Sequence, residues 1–133
     1  MLNETDLKKA VKIIKKWCEE NNIEEFGGYD PDKTYFHCLD DSIQIQFTTA
    51  VPNDKDIKYC VTINNGVGFN VTEWKWGTNT NAEGISKYQQ WTYQYSPIND
   101  LNIDSFIVIQ SWFNQYTNFS KFPNIREILI YGE

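Results

Sequence analysis

The sequence predicts an α+β fold, in which an N-terminal helix and a C-terminal helix pack on a mostly antiparallel twisted sheet of about five to six strands. Two segments with helical periodicity flank a middle region in which apolar and polar residues alternate, as they do in strands buried on one side. The length of 133 residues predicts one domain over 1–133, because no linker, internal repeat or low-complexity segment interrupts the chain.

The first helix is predicted from an apolar stripe near the N-terminus. Its members recur at the i, i+3, i+4, i+7 spacing of one helix face: Leu7, Ala10, Val11, Ile14, Trp17 and Cys18. Asn3 or Thr5 can cap its start, because short polar side chains accept hydrogen bonds from the first free N–H groups. Asn21 and Asn22 predict its end, since asparagine tolerates the left-handed conformation that terminates helices.

The strands are predicted from alternation with a period of two. A strand at 35–39 leads through a turn to a second strand with Ile43, Ile45 and Phe47 on one face. The third strand has its apolar residues at Ile57, Tyr59, Val61 and Ile63. The Asn65–Gly66 pair then predicts a hairpin turn. The returning strand carries Val67, Phe69 and Val71.

The alternation changes phase within this returning strand. Trp74 and Trp76 stand at even positions, whereas the apolar residues before them stand at odd positions. Either a bulge near Glu73 resets the register, or the two tryptophans face away from the core. A polar loop is predicted over 77–86, because this segment has no strong apolar period.

The C-terminal third is predicted to contain a strand, a helix and a final strand. The strand alternates Trp91, Tyr93 and Tyr95 with polar residues and ends at Pro97. The helix covers about 101–117, and its apolar stripe is wide enough to predict a largely buried helix. That stripe consists of Ile103, Phe106, Ile107, Ile109, Trp112, Phe113 and Tyr116. Pro123 breaks the chain, and 125–131 is predicted as a strand with Ile128 and Ile130 inward.

Composition excludes several classes of function. The net charge of −6 disfavours binding to nucleic acid, which requires a basic surface. No apolar run approaches the ~20 residues that span a membrane, and no leader pattern opens the chain, so a cytoplasmic protein is expected. The wide spacing of Cys18, Cys38 and Cys60 predicts reduced thiols rather than a disulfide framework or a metal site. No cofactor is predicted, because no phosphate-binding or nucleotide-binding motif occurs.

Two features could carry catalysis, and both have a structural interpretation. His37, the only histidine, could pair with Cys18 or Cys60 in a small hydrolase, or it could be an ordinary strand residue. The segment from Asp30 to Thr34 matches the D-x-D-x-T pattern of aspartate-dependent phosphatases. That pattern should follow a buried apolar strand, which is missing here, so the segment is interpreted as an Asp-Pro turn. The sequence therefore favours a non-enzymatic protein without catalytic or metal-binding residues.

Acidic and aromatic residues form the predicted binding surface. The candidate binding residues are Asp30, Asp32, Asp40, Asp41, Trp74, Trp76, Trp91 and Tyr93. An acidic surface would steer association with a basic partner protein, and tryptophan and tyrosine would anchor the complex. The main hypothesis is a non-enzymatic protein-binding domain that acts as an inhibitor or immunity protein. The alternatives are a carbohydrate or small-molecule binding module that uses the aromatic residues, and a hydrolase that uses His37.

The general form of the chain is similar to protein inhibitors encoded by phages and mobile elements, and to immunity proteins that neutralise toxins. The shared features are small size, acidity, aromatic richness and the lack of a catalytic motif. None of these features is a specific motif, so no functional residue is transferred from such proteins to this chain.

Overall fold

A computed structural model of the chain describes residues 2–28, 30, 33–48, 57–77 and 89–132, with the backbone alone at 48, 57, 74–77 and 89–97. Its elements are α1 (Glu4–Glu20), β1 (Glu24–Glu25), β2 (Tyr35–Leu39), β3 (Ser42–Thr48), β4 (Ile57–Asn64), β5 (Gly68–Gly77), β6 (Gln89–Ile98), α2 (Ser105–Tyr116) and α3 (Ile125–Tyr131). The strands form one sheet in the order of the chain, from β1 to β6. The β1–β2 pair is parallel and the other neighbours are antiparallel, so the predicted α+β class is confirmed.

The N-terminal helix α1 forms as predicted. The Asn3 side chain accepts a hydrogen bond of 2.8 Å from the N–H of Asp6, so Asn3 is the cap. At the other end, Asn21 closes the helix and Asn22 adopts a φ of 60°. The helix buries the whole predicted apolar stripe of Leu7, Ala10, Val11, Ile14, Trp17 and Cys18. None of the helices in the described residues is both long and apolar enough to span a membrane.

The helices cover one face of the sheet, here called the inner face. Its buried residues on β3, β4 and β5 are Ile43, Ile45, Phe47, Tyr59, Val61, Ile63, Phe69 and Val71. Phe113 of α2 stacks on Phe122 with 4.4 Å between ring centroids and meets Trp17 of α1 edge-on at 5.4 Å. The Trp17 indole N–H donates to the carbonyl oxygen of Ser120 at 3.0 Å. One apolar cluster therefore joins α1, the inner face, α2 and the start of α3.

The opposite face of the sheet, here called the outer face, is polar. The ladder aligns its residues in two rows, which are Tyr35–Gln46–Cys60–Thr72 and His37–Gln44–Thr62–Asn70. Neither row contains an acidic residue, a lysine or an arginine. Gln46 is only 8% exposed, and its Nε2 donates to the carbonyl oxygens of Asp30 at 2.9 Å and Lys33 at 2.8 Å. This side chain therefore holds the segment between β1 and β2 against the sheet.

The β4–β5 hairpin corrects two expectations. The turn follows Asn64 as predicted, but Val67 is exposed in the turn rather than part of the strand, because its N–H donates to the Asn64 side chain at 2.7 Å. Gly68, with a φ of 76°, starts β5. Of the two explanations offered for the phase change, a bulge near Glu73 is not found, since β5 pairs with β4 without a shift from Gly68 to Lys75. The register shift lies between Phe69 and Val71, in the pairing with β6.

The C-terminal helix α2 is shorter and more exposed than predicted. It begins at Ser105, four residues after the predicted start at Leu101. Leu101 is buried ahead of the helix, where its carbonyl oxygen accepts from the N–H of Leu2 at 2.7 Å. Ile107 is 53% exposed and Val108 is 49% exposed, so the prediction of a largely buried helix is wrong. Only the side that carries Phe106, Ile109 and Phe113 packs into the core.

The predicted final strand over 125–131 is wrong, because these residues form the helix α3. The side chain of Asn124 accepts a hydrogen bond of 3.4 Å from the N–H of Glu127 and caps the first turn. Ile125 is buried, whereas Ile130, which was expected to face inward, is exposed. Ile128 and Ile130 stand two positions apart, as in a strand, but burial of Ile125 and the asparagine cap select a helix.

Candidate functional site

The described candidate aspartates do not form one cluster. Asp40–Asp41 is an exposed turn between β2 and β3. Asp30 precedes β2, and its carbonyl oxygen accepts from Gln46, which pairs with Tyr35 at the start of that strand. The length of β2 therefore separates Asp30 from the turn, about 16 Å at ~3.3 Å per residue. Asp32 lies outside the described residues.

A different group of acids surrounds one thiol, Cys38, near the β1 edge of the sheet. Glu19 in the last turn of α1, Glu25 in β1 and Asp40 after β2 all lie close enough to the Cys38 thiol to act on it electrostatically. Burial is the main cause that raises the pKa of Cys38, and Lys15 opposes it. The negative charges of Glu25, Asp40 and Glu19 raise this pKa further. These three carboxylates, here called the acidic corner, come from three separate segments.

The short connection after α1 explains why the acidic corner forms. Asn21 ends the helix, Asn22 takes the left-handed conformation, and Ile23 is buried. The chain thereby reverses within three residues and enters β1, which lies parallel to β2. Glu19 and Glu25 stand on the two sides of this reversal, and Glu25 pairs with Phe36 of β2.

The acidic corner is exposed to solvent, and one cation, Lys15, acts on the same thiol as its three carboxylates. Glu19, Glu25 and Asp40 are all exposed. Among the described residues, none of the three forms an ion pair, whereas the neighbouring Glu24 pairs with Lys33 at 3.2 Å. Exposed carboxylates without partners keep a negative potential that extends over a Debye length, ~8 Å at physiological salt. The three carboxylates outnumber Lys15, so the charged residues that act on Cys38 carry a net negative charge.

The four candidate aromatic residues stand on the neighbouring strands β5 and β6, but no two of them are Cα partners in the ladder. The Cα partner of Trp74 is Thr92, and that of Trp76 is Gln90. Trp91 pairs instead with Lys75, and Tyr93 with Glu73. The side chains of Trp74, Trp76, Trp91 and Tyr93 lie outside the described part of the structure. The expectation that they form an exposed aromatic surface stays a prediction.

The thiols and His37 do not form a nucleophilic pair. Cys38 faces inward, where it packs on the core, while its neighbour His37 is exposed on the outer face. Cys60 shares the outer face with His37, but β3 separates their strands, which places the strands about 10 Å apart. Cys18 is buried within α1. A thiol and its base must lie within hydrogen-bond reach, so this arrangement does not support thiol catalysis.

The remaining thiol environment is also unreactive. Burial is the main cause that raises the pKa of Cys60, and a hydrogen bond from Gln44 Nε2 at 2.9 Å opposes it. A raised pKa keeps the thiol protonated, whereas the thiolate is the nucleophile. Within the described segments, no group of three or more histidine, cysteine or acidic side chains is arranged to hold a metal ion.

The roles of these residues must be inferred from the chain itself. Comparison with known proteins finds no matching family model, no similar curated protein and no similar solved structure. The sequence showed Glu19–Glu20 and Glu24–Glu25 as acidic pairs, but the acidic corner could not be predicted from them. The missing information was the parallel β1–β2 pairing, which depends on the tight reversal after α1.

Proposed function

We propose that this chain is a non-enzymatic protein that binds a basic partner protein through the acidic corner, and that it acts as an inhibitor or immunity protein. The observation that carries this proposal is that Glu19, Glu25 and Asp40, which are exposed and come from three segments, all act electrostatically on one thiol, Cys38. Acidic side chains whose only role is to keep a surface hydrated do not need to lie near one another in the fold. Glu20 and Asp41, which adjoin Glu19 and Asp40 in the chain, are also exposed acids.

Electrostatic steering gives this surface a specific physical role. Complementary charge accelerates encounter between proteins and favours one orientation, while like charge suppresses wrong partners. The net charge of −6 extends the attraction to a basic target beyond the corner itself. Association should therefore become slower as salt rises, because salt screens interactions beyond ~8 Å.

The test is capture of partners from a bacterial lysate by the tagged chain, at low and then at moderate salt, followed by mass spectrometry. We expect one dominant basic protein, which is released as the salt concentration rises. Its affinity for the purified chain is then measured with the double variant Glu25→Lys/Asp40→Lys. We expect this variant to bind roughly tenfold or more weakly, mainly through a slower association rate.

The matched control is Asp100→Lys/Glu127→Lys. Both acids are exposed and lie outside the corner, and this variant changes the net charge by the same amount. Equal loss of binding in the two variants would show that net charge acts without a defined surface. Unchanged binding in the corner variant would remove the acidic corner from the proposal. No captured protein at low salt would count against a protein partner in that lysate.

A further inference from the structure

The two edges of the sheet differ in length and charge. The first edge is β1, which has two residues, both of them exposed glutamates. The other edge is β6, which has ten residues and contains no aspartate, glutamate, lysine or arginine. Among the described residues, β6 pairs with β5 and with no other strand.

This difference matters because an open strand edge presents unpaired backbone N–H and C=O groups to any other strand. Proteins usually protect such edges with charged residues, proline or very short strands. The β1 edge has two of these protections, because the strand is very short and both of its residues are charged. Within the strand itself, β6 has only Pro97, which stands next to its end and leaves 89–96 without a protecting residue.

We infer that β6 pairs edge to edge with β6 of a second copy of this chain. The two strands would run antiparallel around a two-fold axis at Tyr93, so that two six-stranded sheets become continuous. Such an interface uses the same residues on both copies. It therefore requires a strand whose sequence is complementary to itself.

The sequence of β6 meets that requirement around Tyr93. In the proposed register, Tyr93 lies opposite its own copy and Trp91 lies opposite Tyr95. Thr92 lies opposite Gln94, and Gln90 lies opposite Ser96. Aromatic positions thus meet aromatic positions and polar positions meet polar positions, which are pairings that stabilise antiparallel strands.

The lack of charged residues in β6 favours a second copy of this chain over a basic partner protein at this edge. A neutral strand gives no electrostatic guidance to a basic protein, and it lets two identical strands approach without repulsion between them. The net charge of −6 on each copy opposes dimerisation from a distance. Higher salt should therefore leave the dimer unchanged or strengthen it. This response is opposite to that expected for a basic partner at the acidic corner, so the two proposals can fail separately.

The first test is sedimentation velocity over a wide range of protein concentration. We expect a species of twice the monomer mass of 15.7 kDa. The substitution Tyr93→Lys places two lysines opposite each other at the axis and should weaken dimerisation roughly tenfold or more. The matched control is Thr62→Lys, which adds the same charge on β4, between β3 and β5, and should leave the dimer intact.

The second test uses the unmodified protein and so does not depend on the folding of a variant. In an antiparallel pair, every second residue of an edge strand directs its N–H away from its neighbour. Edge pairing therefore predicts slow amide exchange at consecutive residues over 90–96, whereas a free edge predicts protection at alternate residues. A monomer at all concentrations, a dimer that Tyr93→Lys leaves intact, or alternating protection within a dimer would overturn the proposal.

Discussion

The inner and outer faces of the sheet place different chemistry on the same strands. On the inner face, Phe47 of β3 and Phe69 of β5 lie with ring centroids 6.2 and 6.4 Å from that of Phe113. On the outer face, the same strands carry Gln44, Gln46, Asn70 and Thr72. The inner face should therefore determine stability, while the outer face should tolerate change except where a polar side chain is itself buried.

The substitution Phe113→Ala should break the inner face and have the largest effect. Phe113 is fully buried between α1, α2 and the segment before α3, with ring contacts to Trp17, Trp112 and Phe122. Removing a buried phenylalanine leaves a cavity and costs about 3–5 kcal/mol. Urea denaturation followed by circular dichroism measures this loss. A loss below about 1 kcal/mol would contradict the central position of Phe113.

A buried thiol should give the inner face a pH dependence. Burial is the main cause that raises the pKa of Cys18, so the folded protein keeps this thiol protonated above the ordinary thiol pKa, about 8.5. The unfolded chain releases the proton there, so folding stability falls as pH rises from about 8.5. Cys18→Ala is less stable at neutral pH, but it lacks the part of this decline that Cys18 contributes.

The stability difference between the wild type and Cys18→Ala should therefore shrink by on the order of 1–2 kcal/mol between pH 8 and pH 10. Urea denaturation at several pH values measures this change. The matched control is Val11→Ala, which shortens another buried α1 side chain without removing a thiol. Its curve should run parallel to that of the wild type. Parallel curves for Cys18→Ala would contradict the pKa shift.

Gln46→Ala should show that one outer-face residue behaves as part of the core. Its amide donates to the carbonyl oxygens of Asp30 and Lys33, and its loss leaves both acceptors without this donor. We expect a loss of about 1–2 kcal/mol in the free energy of unfolding. Gln44→Ala is the comparison, because Gln44 is exposed on the same strand, and it should cost less than about 0.5 kcal/mol. Similar losses for both variants would argue against the anchoring role of Gln46.

Thr62→Val should have the smallest effect. Thr62 lies on the outer face of β4, and its contacts with the strands on both sides are set by the backbone ladder. Valine has the same branching and also favours strands, so stability should change by less than about 0.5 kcal/mol. Thermal unfolding of Thr62→Val and Phe113→Ala, measured side by side, compares how much the outer and the inner face contribute to stability. A large loss here would show that the outer face contributes more than its polarity indicates.

The elements predicted correctly are those in which one periodicity runs over a long segment. Two segments show this: the α1 stripe from Leu7 to Cys18 and the alternation from Ile57 to Ile63. Each pattern can pack against a core in only one way. The α3 prediction failed because seven residues rich in isoleucine satisfy both patterns. The Asn124 cap and burial of Ile125 decide between them, and burial depends on the tertiary structure.

The candidate site was less predictable than the fold. Local acidic pairs are visible in the sequence, but the meeting of Glu19, Glu25 and Asp40 requires β1 to lie beside β2 in parallel. A two-residue strand has no periodicity that could indicate its partner. Asp30 and Asp40 are near each other in sequence, but the hairpin places them at opposite ends of β2.

The hydrogen bond from Trp17 to Ser120 has a consequence for folding during synthesis. These residues are 103 positions apart in the chain, and Asn21 also bonds to Ser120 across 99 positions. A ribosome that adds about 5–20 residues per second makes the second partner roughly 5–20 s after the first. Throughout that interval, the apolar stripe of α1 has no complete surface to pack against. The buried face of α1 therefore stays partly exposed until the C-terminal segment with Ser120 and Phe122 has been made.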